Sequence, residues 1–174
     1  NHLQTASVLD FETGSSLNIR VQTQDGGGAT FQEAFTITVT DENEPPTDIS
    51  LSSSSVAENQ SSRTSVGNWS TTDPDTGDSH TYTLVAGTGS GDNGLFNIAG
   101  KSEESGEVID YRTGSSLNHR EQTKDERGAN FKEALTITVT EENEPTTDIS
   151  LSTSSVAKNK KSRQQVGKLS HTEP

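Results

Sequence analysis

A chain of 174 residues with 26 acids against 13 lysines and arginines, and a net charge of −13, is poorly suited to nucleic acid, whose binding rests on basic side chains that neutralise phosphates. Its 25% hydrophobic content, mean hydropathy of −0.78 and lack of any apolar stretch near the ~20 residues of a bilayer crossing argue against a large single core and against membrane insertion of this segment. Zero cysteine excludes disulfides and thiolate metal sites together, so small domains built from this sequence need another staple, such as a bound cation.

The apolar residues alternate rather than recur at helical spacing, and Thr, Ser, Val and Ile dominate, so the predicted elements are strands. Leu17, Ile19 and Val21 share one face of the first, and Phe35, Ile37 and Val39 one face of the second, with Asp25-Gly26-Gly27-Gly28 as the turn between. Pro45-Pro46 then breaks the pattern, and Ile49 with Leu51 resumes it. The run Asp73-Pro74-Asp75-Thr76-Gly77-Asp78 is a turn, followed by strand faces at Tyr82 and Leu84 and at Phe96 and Ile98. The letters from Gly89 to Gly94 match a dinucleotide fingerprint, but the strand that follows from Leu95 replaces the phosphate-binding helix, so a Gly-rich turn is expected.

The segment from Val8 to Pro74 recurs from Val108 to Pro174 without a gap, at roughly two-thirds identity. A repeat of that length, with short strands and turn signals between them, predicts an all-β fold of tandem Greek-key β-sandwich repeats of the immunoglobulin-like kind. With boundaries in the acidic Pro-containing runs, residues 1–43 end one repeat, 44–143 form a whole one and 144–174 begin a third. The missing start Met and signal peptide point to an internal piece of a longer protein.

The acids gather at Asp10 and Glu12, at Asp41, Glu42 and Glu44, and at Asp73, Asp75 and Asp78, all bordering predicted strands. Two carboxylates ~6 Å apart repel by about 3 kcal/mol at an effective dielectric near 20, so a fold that brings several together needs a counter-charge. Calcium takes six to eight oxygens from carboxylates, carbonyls and water, which suits this donor set better than zinc does. A solvated acidic turn is the competing explanation of any single cluster.

The sequence resembles the cadherin family along its whole length. Leu9-Asp10-Phe11-Glu12 looks like that family's Leu-Asp-Arg-Glu, and Gln22-Thr23-Gln24-Asp25 like its Ala-x-Asp. The run from Val39 through Pro46 resembles its Val-x-Asp-x-Asn-Asp-Asn-x-Pro linker, while Val56-Ala57-Glu58-Asn59 and Thr72-Asp73-Pro74-Asp75 supply two more motifs. The wording of the repeat is similar to cadherin-like repeats of giant bacterial surface adhesins. The resemblance implies an extracellular or cell-surface location, no enzymatic activity, and calcium held between neighbouring repeats. Its ligands at the first junction would be Asp10, Glu12, Asp41, Asn43, Glu44, Asp73, Asp75 and Asp125.

At the second junction Glu12 becomes Arg112, Glu58 becomes Lys158, Asp41 becomes Glu141 and Asp73 becomes Glu173, with Lys160 and Lys161 nearby. Weak or absent calcium is expected there, the basic residues neutralising the acids themselves. The second copy also carries Glu103, His119 and Glu121 where the first has Leu3, Ile19 and Val21 on an inward face. Pairing, exposure of that face and marginal stability all remain open for these three.

Two other functions compete with a calcium-stiffened spacer. The chain starts late in one repeat and ends early in another, so its ends offer strand addition to a partner copy and assembly into a fibre. A polysaccharide-binding module would need Trp69, Tyr82 and Tyr111 as stacking surfaces, although a core position is expected for Trp69. The four histidines lack metal spacing, and Asp78-Ser79-His80 are sequence neighbours, which catalytic triads rarely use.

Overall fold

The computed structural model describes residues 2–156, 158, 163 and 165–172. Twelve strands and one three-residue 3-10 turn make up its regular structure among these residues. The first two strands, β1 (Ser16–Gln24) and β2 (Thr30–Thr38), pair with each other in a two-stranded sheet. Two four-stranded sheets follow, built from β3 (Asp48–Leu51), β4 (Ser55–Ala57), β5 (Ser65–Thr72), β6 (Thr81–Leu84), β7 (Phe96–Ala99), β8 (Ser102–Ser105), β9 (Ser116–Lys124) and β10 (Asn130–Thr140). The last pair, β11 (Asp148–Leu151) and β12 (Leu169–Thr172), forms another two-stranded sheet.

The strand orders are β3-β5-β8-β7 and β4-β10-β9-β6, a Greek-key sandwich in which the first strand splits across both sheets. Its second part, β4, runs parallel to β10, while every other pairing is antiparallel. All four sheet edges belong to strands of three or four residues, and the long β5, β9 and β10 lie inside.

The pairing repeats as the sequence does. Leu17 opposes Ile37 and Ile19 opposes Phe35 in the first hairpin, while Leu117 opposes Ile137 and His119 opposes Leu135 a hundred positions later. Asp48–Thr72 and Asp148–Thr172 are equivalent in the same way. Even the hairpin turn is copied: the Oδ1 atoms of Asp25 and Asp125 accept the N–H of Ala29 and Ala129, both at 2.9 Å. Gly28 and Gly128 sit in these turns at φ of +91° and +104°, a backbone region that glycine enters without a Cβ clash.

Period-two alternation places Leu117 on β9 and Ile137 and Val139 on β10 between the sheets, against Val56, Val66, Phe96 and Ile109. Each such side chain gains about 1.5–3 kcal/mol on full burial. A neighbouring cluster joins Ile49, Trp69 and Tyr82, and the rings of the last two stack with centroids 6.2 Å apart. Trp69 and Tyr82 are thus core residues, 3% and 7% exposed, and neither presents a face on which a sugar stacks. The turn after Gly89 contains the short 3-10 segment Asn93–Leu95 and runs straight into β7, as the strand pattern requires.

Glu103, His119 and Glu121 are fully buried at 0% exposure, so exposure of that face is ruled out. Glu103 projects from β8 in one sheet, and His119 and Glu121 from β9 in the other. No helix of the described residues is long and apolar enough to cross a membrane.

Candidate metal centre

The acidic site lies where the segment after β2 meets one end of the central sandwich. Its components come from four places: the turn before β1, the linker through Asn43 and Glu44, the loop after β5, and the turn between β9 and β10. Proline at 45 and 46 removes backbone donors, so this linker cannot continue a ladder and runs across the end of the sandwich. The buried Pro46 fixes where it enters β3.

Two groups of carboxylates result. Glu12, Asp41, Glu44 and Asp75 each bring an oxygen within 4.8 Å of the others, and Asp73, Asp78 and Asp125 do the same. Asn43 ties the linker to the second group, its Nδ2 donating to Asp125 Oδ2 at 3.1 Å. The Glu44 backbone N–H donates to Asp75 Oδ2 at 2.8 Å, and the Asp75 N–H to Asp73 Oδ1 at 3.1 Å. Seven of the eight residues expected from the sequence are therefore brought together.

Asp10 lies in neither group. Its Oδ1 accepts the N–H of Glu12 at 2.9 Å and of Thr13 at 3.2 Å, shaping the turn that presents Glu12. Asp78, which the sequence marks only as part of an acidic loop, belongs with Asp73 and Asp125. Its signal is the six-residue Asp73-to-Asp78 turn, which looks like an incomplete calcium loop because no acid stands at its twelfth position, Leu84.

Electrostatics report the crowding. Loss of water and the charges of Glu12, Asp75 and Asp41 raise the Glu44 carboxyl above the ordinary glutamate range. Asp78 is raised by burial and by Glu126 and Asp75, against a weaker opposing effect of Arg127. At Glu12 a backbone hydrogen bond pulls downward, yet desolvation together with Asp10 and Asp41 outweighs it and leaves the group raised. Asp125 goes the other way: burial would raise it, but hydrogen bonds from Asn43 and three backbone N–H groups lower it. Arg127 Nη2 stands 3.8 Å from Asp41 Oδ2, too far and too exposed to balance the site.

The fit of this donor set to a calcium ion follows from the partners its oxygens already have. Asn43 Oδ1, Glu44 Oε2, Asp75 Oδ1 and Asp78 Oδ2 are buried and accept no hydrogen bond. Buried oxygens without donors cost free energy unless something positive faces them, and an all-oxygen set with this charge fits calcium. His80 Nε2 lies 2.8 Å from Asp73 Oδ2, and the Ser79 hydroxyl donates to Glu126, so Ser79 and His80 turn to different acids.

The equivalent place at the other end of the sandwich is built differently. Arg112 Nη1 lies 2.6 Å from Glu144 Oε2, and Asn59 Nδ2 donates to the other oxygen of the same carboxylate. These bonds hold Glu144 below the ordinary glutamate range, and the pairing with Glu144 raises Arg112. Glu58, fully buried, accepts the N–H of Tyr111 through Oε2 at 2.8 Å and of Glu142 through Oε1 at 2.9 Å. Among the described residues no metal-sized group of acids forms at this end; Glu173, Lys160 and Lys161 lie outside them.

No protein-family model matches the chain, and no curated protein sequence matches it significantly. Solved structures do match in fold. Protocadherin gamma B7 extracellular cadherin domains 1–4 superpose with a TM-score of 0.68 at 18% identity, over 95% of this chain and 42% of that one. Domains EC1–2 of human protocadherin-24 give 0.62 at 19% identity, over 79% and 71%. For the four domains EC1–4 of PcdhgB3 the values are 0.61 and 22%, over 79% and 34%, so the chain spans less than half of the four-domain structures. The shared feature is the fold, that of cadherin extracellular domains in tandem.

Proposed function

We propose that this chain is a segment of a calcium-stiffened spacer or adhesion module that works outside the cell and carries no catalysis. The observation behind this reading is the convergence of Glu12 and Asp41, which precede the 43/44 division, with Glu44 and Asp75, which follow it. Repeats divided at 43/44 and 143/144 then meet end to end, with the acids of the first junction shared between them. When bound, calcium supplies the positive charge that these carboxylates lack and links four stretches of backbone into one rigid joint.

Glu12, Asp41, Glu44 and Asp75 would hold one ion, and Asp73, Asp78 and Asp125 with the Asn43 amide oxygen would hold another. Asp10 positions Glu12 by fixing its turn. The second joint is closed by Arg112 and Glu144 and needs no ion. Extracellular modules bind calcium with Kd of about 10⁻⁴ to 10⁻³ M, a range in which millimolar external calcium keeps sites filled. A glycan-binding role loses its main support with the burial of Trp69 and Tyr82.

Small-angle scattering of the chain across a calcium series tests the proposal. The first joint is expected to stiffen, with a longer and narrower distance distribution in millimolar calcium than in EDTA. Superimposable profiles, together with no heat of calcium binding by calorimetry, would sink it.

A further inference from the structure

The centre of the sandwich holds a second cluster, distinct from the acidic joint and independent of that joint's role. Nε2 of His119 stands 3.3 Å from Glu103 Oε1 and 3.5 Å from Glu121 Oε1. All three side chains are fully buried. None of their four carboxylate oxygens and neither imidazole nitrogen makes a hydrogen bond, and neither close approach has hydrogen-bond geometry. Six orphaned polar atoms in one core would cost as much as a typical domain's entire stability.

A chain that merely tolerated these residues would turn them to the surface or give them donors; instead they point at one another from opposite sheets. Strand geometry explains how: His119 and Glu121, two apart on β9, share a face, and Glu103 on β8 reaches across from the other sheet. The rings of Phe96 and Trp69 lie beside the imidazole, at centroid distances of 4.9 and 6.0 Å, and keep the surroundings apolar. The polypeptide alone therefore supplies neither a donor nor a counter-charge to these six atoms.

We propose that Glu103, His119 and Glu121 bind a zinc-class divalent transition metal ion that staples the two sheets of the sandwich together. Bonds of about 2.0–2.2 Å to a tetrahedral centre place ligand atoms about 3.3–3.6 Å apart, the separations found between His119 and each glutamate. One imidazole and two carboxylates are borderline donors that suit zinc and its neighbours, whereas calcium prefers an all-oxygen shell. Two carboxylates also cancel a 2+ charge, leaving a neutral unit that the core accommodates. The three residues are the ligands, and a water completes the fourth position. The equivalent positions of the earlier copy carry the apolar Leu3, Ile19 and Val21, none of which can bind a metal.

The test uses the full chain in millimolar calcium, so that the acidic joint is saturated; a zinc-selective chelator first strips the core and is removed, and zinc is then added back and the excess dialysed away. Retention of one zinc equivalent, ligand-field absorption of a tetrahedral centre on adding Co²⁺, and a rise in Tm of about 10 °C or more at a hundredfold excess of zinc over its Kd are the expected results. The triple variant Glu103→Leu, His119→Ile, Glu121→Val restores the earlier copy's residues and should fold without metal. It is expected to lose both the cobalt absorption and the zinc-induced shift while keeping its calcium heats. A wild-type chain that shows no cobalt absorption and a Tm indifferent to zinc overturns the proposal, and so does a triple variant that keeps the zinc shift.

Discussion

The guanidinium of Arg112 and the carboxylate of Glu144 meet at 2.6 Å, where the earlier copy has Glu12 beside Glu44. One substitution thus turns a repulsive pair of acids into an attractive ion pair. Arg112→Glu should restore the repulsion and, with it, an affinity for calcium at the second joint. Calorimetry of this variant is expected to show an additional set of sites; binding curves identical to wild type would contradict the assignment.

At the first joint, Asp75 is buried, its Oδ1 accepts nothing and its Oδ2 accepts the Glu44 N–H, so replacing it removes a charged ligand together with one tie to the linker. Asp75→Ala should weaken calcium binding tenfold or more, equivalent to about 1.4 kcal/mol or above. Asp78→Ala should weaken binding as well, because Asp78 Oδ2 is equally orphaned. Asp10→Asn preserves an oxygen for the Glu12 and Thr13 N–H groups and should leave affinity within a few-fold of wild type. Calorimetric titration of the three variants ranks them, and an Asp10 variant that binds more weakly than the Asp75 variant would make Asp10 the ligand and Asp75 the support.

Glu58 is a brace, holding the N–H of Tyr111 and the N–H of Glu142 through one carboxylate. Glu58→Ala leaves two backbone donors facing a void, and a loss of about 2–4 kcal/mol is expected in urea unfolding. Glu58→Gln keeps an acceptor for one of them and should lose less. Equal midpoints for the two variants would count against the bracing role.

The Glu144 carboxyl is depressed by Arg112 and Asn59, so its contribution to stability is complete above the ordinary glutamate value of 4.5 and disappears as pH falls through the lowered one. Because Arg112 is exposed, the effect on unfolding is small, and the carboxyl itself is the better reporter. NMR titration should find Glu144 below 4.5 in the wild type and shifted upward in Arg112→Gln. An unchanged midpoint would show that the pair does not persist in solution.

Trp69 is the only tryptophan, and its ring stacks on Tyr82 inside the core. Trp69→Phe keeps an apolar ring but leaves a space, whereas Trp69→Ala should cost about 3–5 kcal/mol. Intrinsic fluorescence of the wild type is expected to be blue-shifted and to move red in a single transition with urea. A solvent-exposed emission in the native state would place the indole outside the core.

Most of the fold is legible in the sequence because its determinants are local. Alternation at Leu17, Ile19 and Val21 predicts a strand face, and the same pattern at Leu117 puts β9 and β10 in an identical register. The acidic joint is legible from the clusters at Asp41 to Glu44 and Asp73 to Asp78. Less is visible where partners come from distant positions. Asp10 carries the family motif as strongly as Glu12, yet its oxygen is taken by its own turn, a matter of local backbone direction. Nothing in the order of residues indicates that Glu103 will face His119 across the gap between two sheets, because that depends on how the sheets are stacked.

The three- and four-residue strands at the borders of both sheets bear on how such units coexist along one polypeptide. Tethered copies of related sequence see one another at millimolar effective concentration, conditions under which long free ladders zip together into aggregates. A border this short offers too few bonds to nucleate that pairing. Crowding is thereby made harmless: the sandwich can lie close to a stretch of related sequence without its borders zipping onto it.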